Sequence, residues 1–292
     1  MRFYADVHRK RDDTGYRITY TTDGEDFRHV DSPSEIPVEA GDKVYVDTIP
    51  IIHTDGFIEL LRRGAEVYYL RRLTMIEAVR QKMGIKSKSA RTDIKALMAV
   101  DDKWFRRVDE NFLVMRQMIS AFRSLERTMQ RLENQLKAAS SATEESLRRM
   151  VKQVEIEKEV LAKLISEEAA KRFPVFVKVV KELGIMGENH VLACEALAEL
   201  LTYVDFSKSF RQVRGYLRLY RKRSKNQTYN HETRHALTRL TMATTRNTPN
   251  AHKQEDILMK IWLTIRQETQ ERLAGNQPAT TPRKPMKEAG RL

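Results

Sequence analysis

Three aspartates stand where a divalent cation could be gathered. Asp6 lies within Arg2-Phe3-Tyr4-Ala5-Asp6-Val7, Asp47 ends Lys43-Val44-Tyr45-Val46-Asp47, and Asp93 follows Ser89-Ala90-Arg91-Thr92. Two-metal phosphodiester chemistry needs several carboxylates around ions about 4 Å apart, offered from a central strand, its neighbour and a nearby helix. Each aspartate alone reads equally well as a strand-end or helix-cap residue; their positions relative to the strands make the set informative. A second constellation, His231-Glu232-Thr233-Arg234-His235, satisfies H-E-x-x-H. On a helix that spacing puts both imidazoles on one face for zinc, with the glutamate as general base. Arg234 places a cation beside such a metal, and only His252 or Glu255 offers a third ligand, so a zinc metallohydrolase through His231 and His235 is a remote alternative. Cys194 is the only cysteine, which excludes an intramolecular disulfide and a thiolate metal cluster. Its apolar neighbours mark it as a small core residue.

The elements that would position these groups follow from periodicity. The segments around Asp6 and Asp47, together with Gly15–Tyr20 and Glu66–Leu70, carry strand patterns; an amphipathic helix fits Gly56–Arg63 with Gly64 as its C-cap. Strands interleaved with a helix predict a mixed α/β sheet. From Phe112 the period changes. Phe112, Met115, Ile119, Phe122, Met129, Leu132 and Leu136 make one apolar seam, and Leu147, Val151, Val154, Leu161 and Ile165 make another. Small residues 138–143 separate them, with Thr143 as an expected N-cap, so the two helices should fold back as a long antiparallel hairpin. The seams could also pair two chains as a coiled coil. Residues from Pro174 onward read as helical, with loops at 184–187 and 205–209.

The fold class expected is therefore α/β plus all-α, in four regions: 1–104, the α/β domain; 105–172, the coiled-coil hairpin; 173–275, a basic helical domain; and 276–292, a disordered basic tail. The 292 residues carry a formal net charge of +13. Between Asp205 and Arg246 there are eleven basic and two acidic residues. Lys208, Arg211, Arg214, Arg218, Arg221, Lys222, Arg223, Lys225, Arg234 and Arg239 are the expected nucleic-acid-binding residues, since charge this concentrated favours a polyanionic partner. A helix over 210–221 would align Arg211, Arg214, Arg218 and Arg221 on one face. Phe210, Tyr216, Tyr220 and Tyr229 could stack on bases or fill the core behind. No stretch approaches the ~18 to 20 apolar residues of a membrane span, and Met1–Lys10 has charges where a signal peptide needs its apolar run, so a cytoplasmic protein without a membrane partner is expected.

The order of these pieces resembles the DEDD-type insertion-sequence transposases, the group that includes the pilin-gene-inverting and bridge-RNA-guided recombinases. Ala5-Asp6-Val7-His8-Arg9-Lys10 is similar to their N-terminal Asp-Val-His-Lys signature, Val46-Asp47-Thr48 to Glu-Ala-Thr, Gly64-Ala65-Glu66-Val67 to Gly-x-x-Val, and Arg91-Thr92-Asp93 to Lys-Thr-Asp. After the hairpin, Leu183–Gly187 resembles Pro-Gly-Ile-Gly, Phe210–Tyr216 the Phe-(x)n-Tyr segment, and Thr233–Leu237 the closing Leu-Arg helix. The resemblance implies an RNase H-like N-terminal domain, an acidic tetrad holding Mg²⁺, and a C-terminal serine that attacks DNA. It implies DNA and a structured RNA as partners, and homo-oligomers formed through the coiled coil. Asp6, Asp47 and Asp93 match three tetrad positions, the second with Asp for Glu. The fourth acid falls on Ala96, or on Lys95 with one deletion; Asp101 and Asp102 are the nearest acids that could take its place. Ser224, in Arg223-Ser224-Lys225, is the nearest match to the nucleophile but lacks the glycine that usually follows it. A diverged or domesticated transposase fits these departures. A non-catalytic ribonucleoprotein scaffold resembling the Nop-type proteins is the main alternative, although their Gly-Ala-Glu-Lys signature is not found.

Overall fold

The structure is a computed structural model that describes residues 1–10, 15–219, 231–245 and 250–275. Contacts divide the chain into two units, Met1–Ile165 and Ser166–Leu292.

The first unit is built on a six-stranded mixed sheet of β1 (Arg2–Arg9), β2 (Tyr16–Thr21), β3 (Arg28–Val30), β4 (Lys43–Val46), β5 (Glu66–Leu70) and β6 (Phe105–Val108), in the order β3-β2-β1-β4-β5-β6. β1, β2 and β3 are successive antiparallel neighbours, β4 and β5 run parallel to β1, and β6 returns antiparallel to β5. Alternation along β1 sends Phe3, Ala5 and Val7 to one face and Tyr4, Asp6 and His8 to the other. Both sets are largely buried, because helices cover both faces. α1 (Thr54–Arg62), which packs on β5, also packs on α4 (Glu110–Lys137). Phe112 of α4 stacks 5.9 Å from Tyr69 on one side of β5. On the other side, α2 (Thr74–Lys82) and α3 (Ala90–Met98) bury Ile76, Ile94, Ala96 and Leu97 against Tyr4, Tyr45, Leu70 and Phe105. Tyr4, Tyr45 and Tyr68 stack across three strands at 5.2 and 5.0 Å.

The four sequence-readable strands are present within a few residues of their expected limits, as is α1. Its chain leaves through Gly64 at φ +86°, where a Cβ would meet that of Ala40 at 2.9 Å. β3, β6 and α2 were not foreseen. β6 is Phe-Arg-Arg-Val, four residues too short and too charged to show an alternating pattern.

α4 is followed after three residues by α5 (Ser141–Arg172). The break falls at 138–140, and Thr143 sits inside the first turn of α5 instead of capping it. The predicted α4 seam is the buried side: Phe112, Met115, Ile119, Phe122 and Leu132 are buried, with Met129 and Leu136 half-buried. Lys158 of α5 stands 3.9 Å from Glu126 and 5.5 Å from the ring of Phe122. That contact brings a residue from beyond the break back against α4, as a chain folded back on itself requires.

The second unit contains α6 (Phe176–Glu182), α7 (Val191–Tyr203), α8 (Phe210–Tyr216), α9 (His231–Thr245) and α10 (Ala251–Gly275), with loops where they were expected, at 184–187 and 205–209. α7 packs against α9, and α10 against α6, α8 and α9. Among the described residues no helix is long and apolar enough to cross a membrane.

Candidate functional site

Asp6 and Asp47 come together because β1 and β4 are adjacent and parallel. Ala5 is in register with Val46, so the next residue on each strand is an aspartate and both point to the face shared by Tyr4 and Tyr45. The two carboxyl groups are close enough for the charge of Asp6 to raise Asp47. Thr48 donates its backbone N–H to Asp47 at 2.7 Å, and His8 Nδ1 lies 3.2 Å from Asp6 Oδ2.

Asp93 arrives from above the sheet. Ser89 caps α3, accepting from the Thr92 N–H while Thr92 answers in a reciprocal capping box. This fixes the helix start and sets Asp93 in its first turn. α3 packs over β1 and β2, bringing the Asp93 charge close enough to push both Asp6 and Asp47 upward. Burial is the larger cause at each site. It raises Asp6 against the opposing pull of His8, and with the charge of Asp6 it pushes Asp47 up to about 7. Burial also raises Asp93, opposed by Arg80 and Lys88. Carboxylates raised by burial and by a neighbouring acid are the mark of a cluster short of positive charge.

Arg80 of α2 was not singled out from the sequence. Its Nη1 stands 3.1 Å from Asp93 Oδ1, and each side chain is 14% exposed. Its partner lies 13 residues away on another helix, a pairing that no motif announces. The candidate fourth acids do not reach the trio. Asp102 pairs with Arg2 at 3.2 Å, at the opposite end of β1 from His8, and Asp101 caps its own turn and pairs with Lys103. Ala96 is fully buried in the core. Among the described residues no group of three or more His, Cys, Asp or Glu is arranged to hold a metal ion; with Asp93 drawn to Arg80, the donor set facing a cation is the Asp6–Asp47 pair. That set fits Mg²⁺, which is commonly bound by one or two carboxylates and keeps several waters.

Across the same face, Thr19 is the antiparallel partner of Asp6 and His29 the partner of Thr19. Thr19 Oγ1 and His29 Nδ1 are 2.9 Å apart. Burial, and then the charges of Arg17, Arg91 and His8, hold His29 below its usual value.

The expected arginine stripe is altered by the structure. α8 ends at Tyr216 and Leu217 is its C-cap, while Arg218 takes φ +53°, the only positive φ at a non-glycine among the described residues. Arg211 and Arg214 therefore share a face that Arg218 leaves. Val213 and Leu217 are buried, as anchors for α8 should be. Three of the expected nucleic-acid contacts are engaged within the protein. Arg214 pairs with Glu255 at 2.6 Å, and Arg234 donates to the Leu217 carbonyl at 3.0 Å. Arg239 pairs with Glu195 and, at 3.0 Å, with Glu199. Arg211 is exposed, and Lys208, also exposed, lies 3.8 Å from Asp205. Phe210 packs on Trp262 at 6.0 Å, and Tyr216 is exposed. Arg221, Lys222, Arg223, Ser224, Lys225, Tyr220, Tyr229, Arg246 and the tail 276–292 lie outside the described residues.

His231 and His235 are exposed on α9, and Glu255, offered as a third ligand, belongs to Arg214. Cys194 is half-buried, its Sγ 3.4 Å from the Ile185 carbonyl. Burial pushes its thiol up to about 11, so it stays protonated and unreactive at neutral pH.

No protein-family model matches the sequence, and no curated protein matches it.

Proposed function

We propose that this chain is a transposase- or recombinase-like protein that acts on nucleic acid by metal-assisted phosphodiester chemistry, with Asp6 and Asp47 holding the cation. The observation that carries this reading is the placement of a buried and a half-buried carboxylate, Asp6 on β1 and Asp47 just past the end of the adjacent parallel β4, side by side, with a third acid brought over them by a helix. The strand order supports it: three antiparallel strands followed by two parallel to the first is the arrangement an RNase H-like domain would have. In this reading DNA and a structured RNA bind through Lys208, Arg211 and the basic run 221–225, and the α4–α5 hairpin pairs copies of the chain. Mg²⁺, when bound, neutralises charge at the transferring phosphate and acidifies the attacking hydroxyl. Asp6 and Asp47 are the residues that would hold and orient it, with Asp47 ionised in that role. Ser224 has the nucleophile's role by resemblance alone.

The test is nicking or strand transfer on supercoiled and branched DNA with Mg²⁺, beside binding of duplex DNA and structured RNA over a range of salt. Asp6→Asn should lose activity by roughly a hundredfold or more while retaining binding, because the metal is asked to supply several kcal/mol of transition-state stabilisation. Activity that survives Asp6→Asn would overturn the catalytic assignment. A second reading, a non-catalytic nucleic-acid scaffold, is favoured by Ala96 at the fourth acid's place and by the hold of Arg80 on Asp93. Salt-dependent binding by a wild-type protein that never nicks would select it.

A further inference from the structure

We propose that Arg80 takes the place of a second divalent cation, holding Asp93 as its counter-ion and leaving Asp6 and Asp47 to bind a single metal ion. The inference rests on the metal reading above and concerns how many ions that site takes. The geometry points to it. Arg80 and Asp93 meet at 3.1 Å from two different helices, each with only 14% of its side chain exposed. Arg80 Nε and Asp93 Oδ1 are buried without a hydrogen-bond partner, so the two groups meet as charges and not through a well-aligned hydrogen bond. A guanidinium brought this far out of water is placed for its charge.

Charge balance gives the reason. Three ionised carboxylates sum to minus three, and one divalent ion with one guanidinium sums to plus three. Two divalent ions beside Arg80 would leave a buried excess of two positive charges with no fourth carboxylate to meet it, since Ala96 stands in that place and Asp101 and Asp102 are paired elsewhere. Lys88, exposed at the start of this region, also acts on Asp93 and adds to the case against a second ion.

The experiment is a titration with Mn²⁺, followed by paramagnetic resonance and calorimetry, on the full chain without nucleic acid. The wild-type protein should take one ion. Arg80→Gln should take two, because Asp93 is released to act as a ligand. Asp93→Asn, a milder change, should still take one ion with an affinity within about threefold of wild type. Two ions in the wild type, an ion lost in Asp93→Asn, or a single ion in a folded Arg80→Gln would each overturn the role of Arg80 while leaving the metal reading intact. No ion in any of the three proteins would overturn the metal reading itself, and the role of Arg80 with it.

Discussion

Both units of this chain bury carboxylates, and they treat them differently. In the second unit Glu195 and Glu199, one turn apart on α7, are 0% and 1% exposed, and Arg239 from α9 meets both. In the first unit the buried Asp6 lies beside the half-buried Asp47, with His8 Nδ1 3.2 Å from Asp6, while Arg80 is turned to Asp93. The first arrangement is closed by one guanidinium that meets both acids and locks α7 to α9. The second is open: burial and the charge of Asp93 raise Asp6 and Asp47, and Asp6 raises Asp47 further. A buried carboxylate without a protein cation either keeps a proton or waits for a cation from outside. Burial alone does not separate the two clusters; the placement of the arginine does.

Breaking the closed cluster should have the larger effect. Arg239→Met removes the guanidinium that meets both buried glutamates and should cost about 3 to 5 kcal/mol of stability, the usual penalty for removing one partner of a buried ion pair. Urea unfolding at neutral pH reads this directly. A loss below about 1 kcal/mol would mean that the pair is solvated and that the comparison fails.

Acting on the open cluster should have the opposite sign. Asp47 is raised to about 7 by burial and by Asp6, so the folded state keeps a proton that the unfolded chain gives up near pH 4. The folded state then binds more protons between these values, and stability falls as pH rises from about 4 to about 7, levelling off above. Asp47→Asn removes that cost. Without divalent cations at about pH 8 it should be more stable than wild type by roughly 2 to 4 kcal/mol, a gain that shrinks toward pH 4. Added Mg²⁺ should stabilise the wild-type protein and not the variant. Thermal melts across pH, with and without a chelator, check both statements, and a variant less stable than wild type at pH 8 would refute the electrostatic account.

The smallest effect sharpens the geometry. Ser89→Ala removes the cap that fixes the α3 terminus bearing Asp93 and should cost about 1 kcal/mol. If this cap positions Asp93, the variant should also weaken the dependence of the melt on pH. A stability loss with an unchanged pH profile would make Ser89 structural only.

How much of this was readable differs by element. Asp6 and Asp47 were visible because a strand pattern states which way a side chain points, and the short apolar runs around them identified both strands. The reach of Arg80 to Asp93 was not visible, since a helix pattern gives a face and not the neighbour that face will meet. The same limit explains the arginines. Arg211, Arg214, Arg218 and Arg221 have the spacing of one helical face, but α8 ends at Tyr216 and Arg218 turns into the left-handed region. Arg214 and Arg239 find acids 41 and 40 residues away in sequence. A local count of charge registers +1 for each of them and cannot see its partner.

The parallel pairing of β1 with β4 has a consequence for the order of folding. Arg2 pairs with Lys43, so this ladder can zip only after a loop of about 40 residues has closed, whereas α4 and α5, separated by three residues, each form through hydrogen bonds within the helix. Helices form in about a microsecond, and long-range pairings wait on loop closure. The helical arm should thus be in place before the two aspartates meet. During that interval Asp6 and Asp47 are ordinary solvated carboxylates, and the raised pKa of each comes into being only with the last strand pairings. Proton uptake during refolding at about pH 6 would then lag helix formation, giving a stopped-flow indicator signal that times the assembly of the site itself.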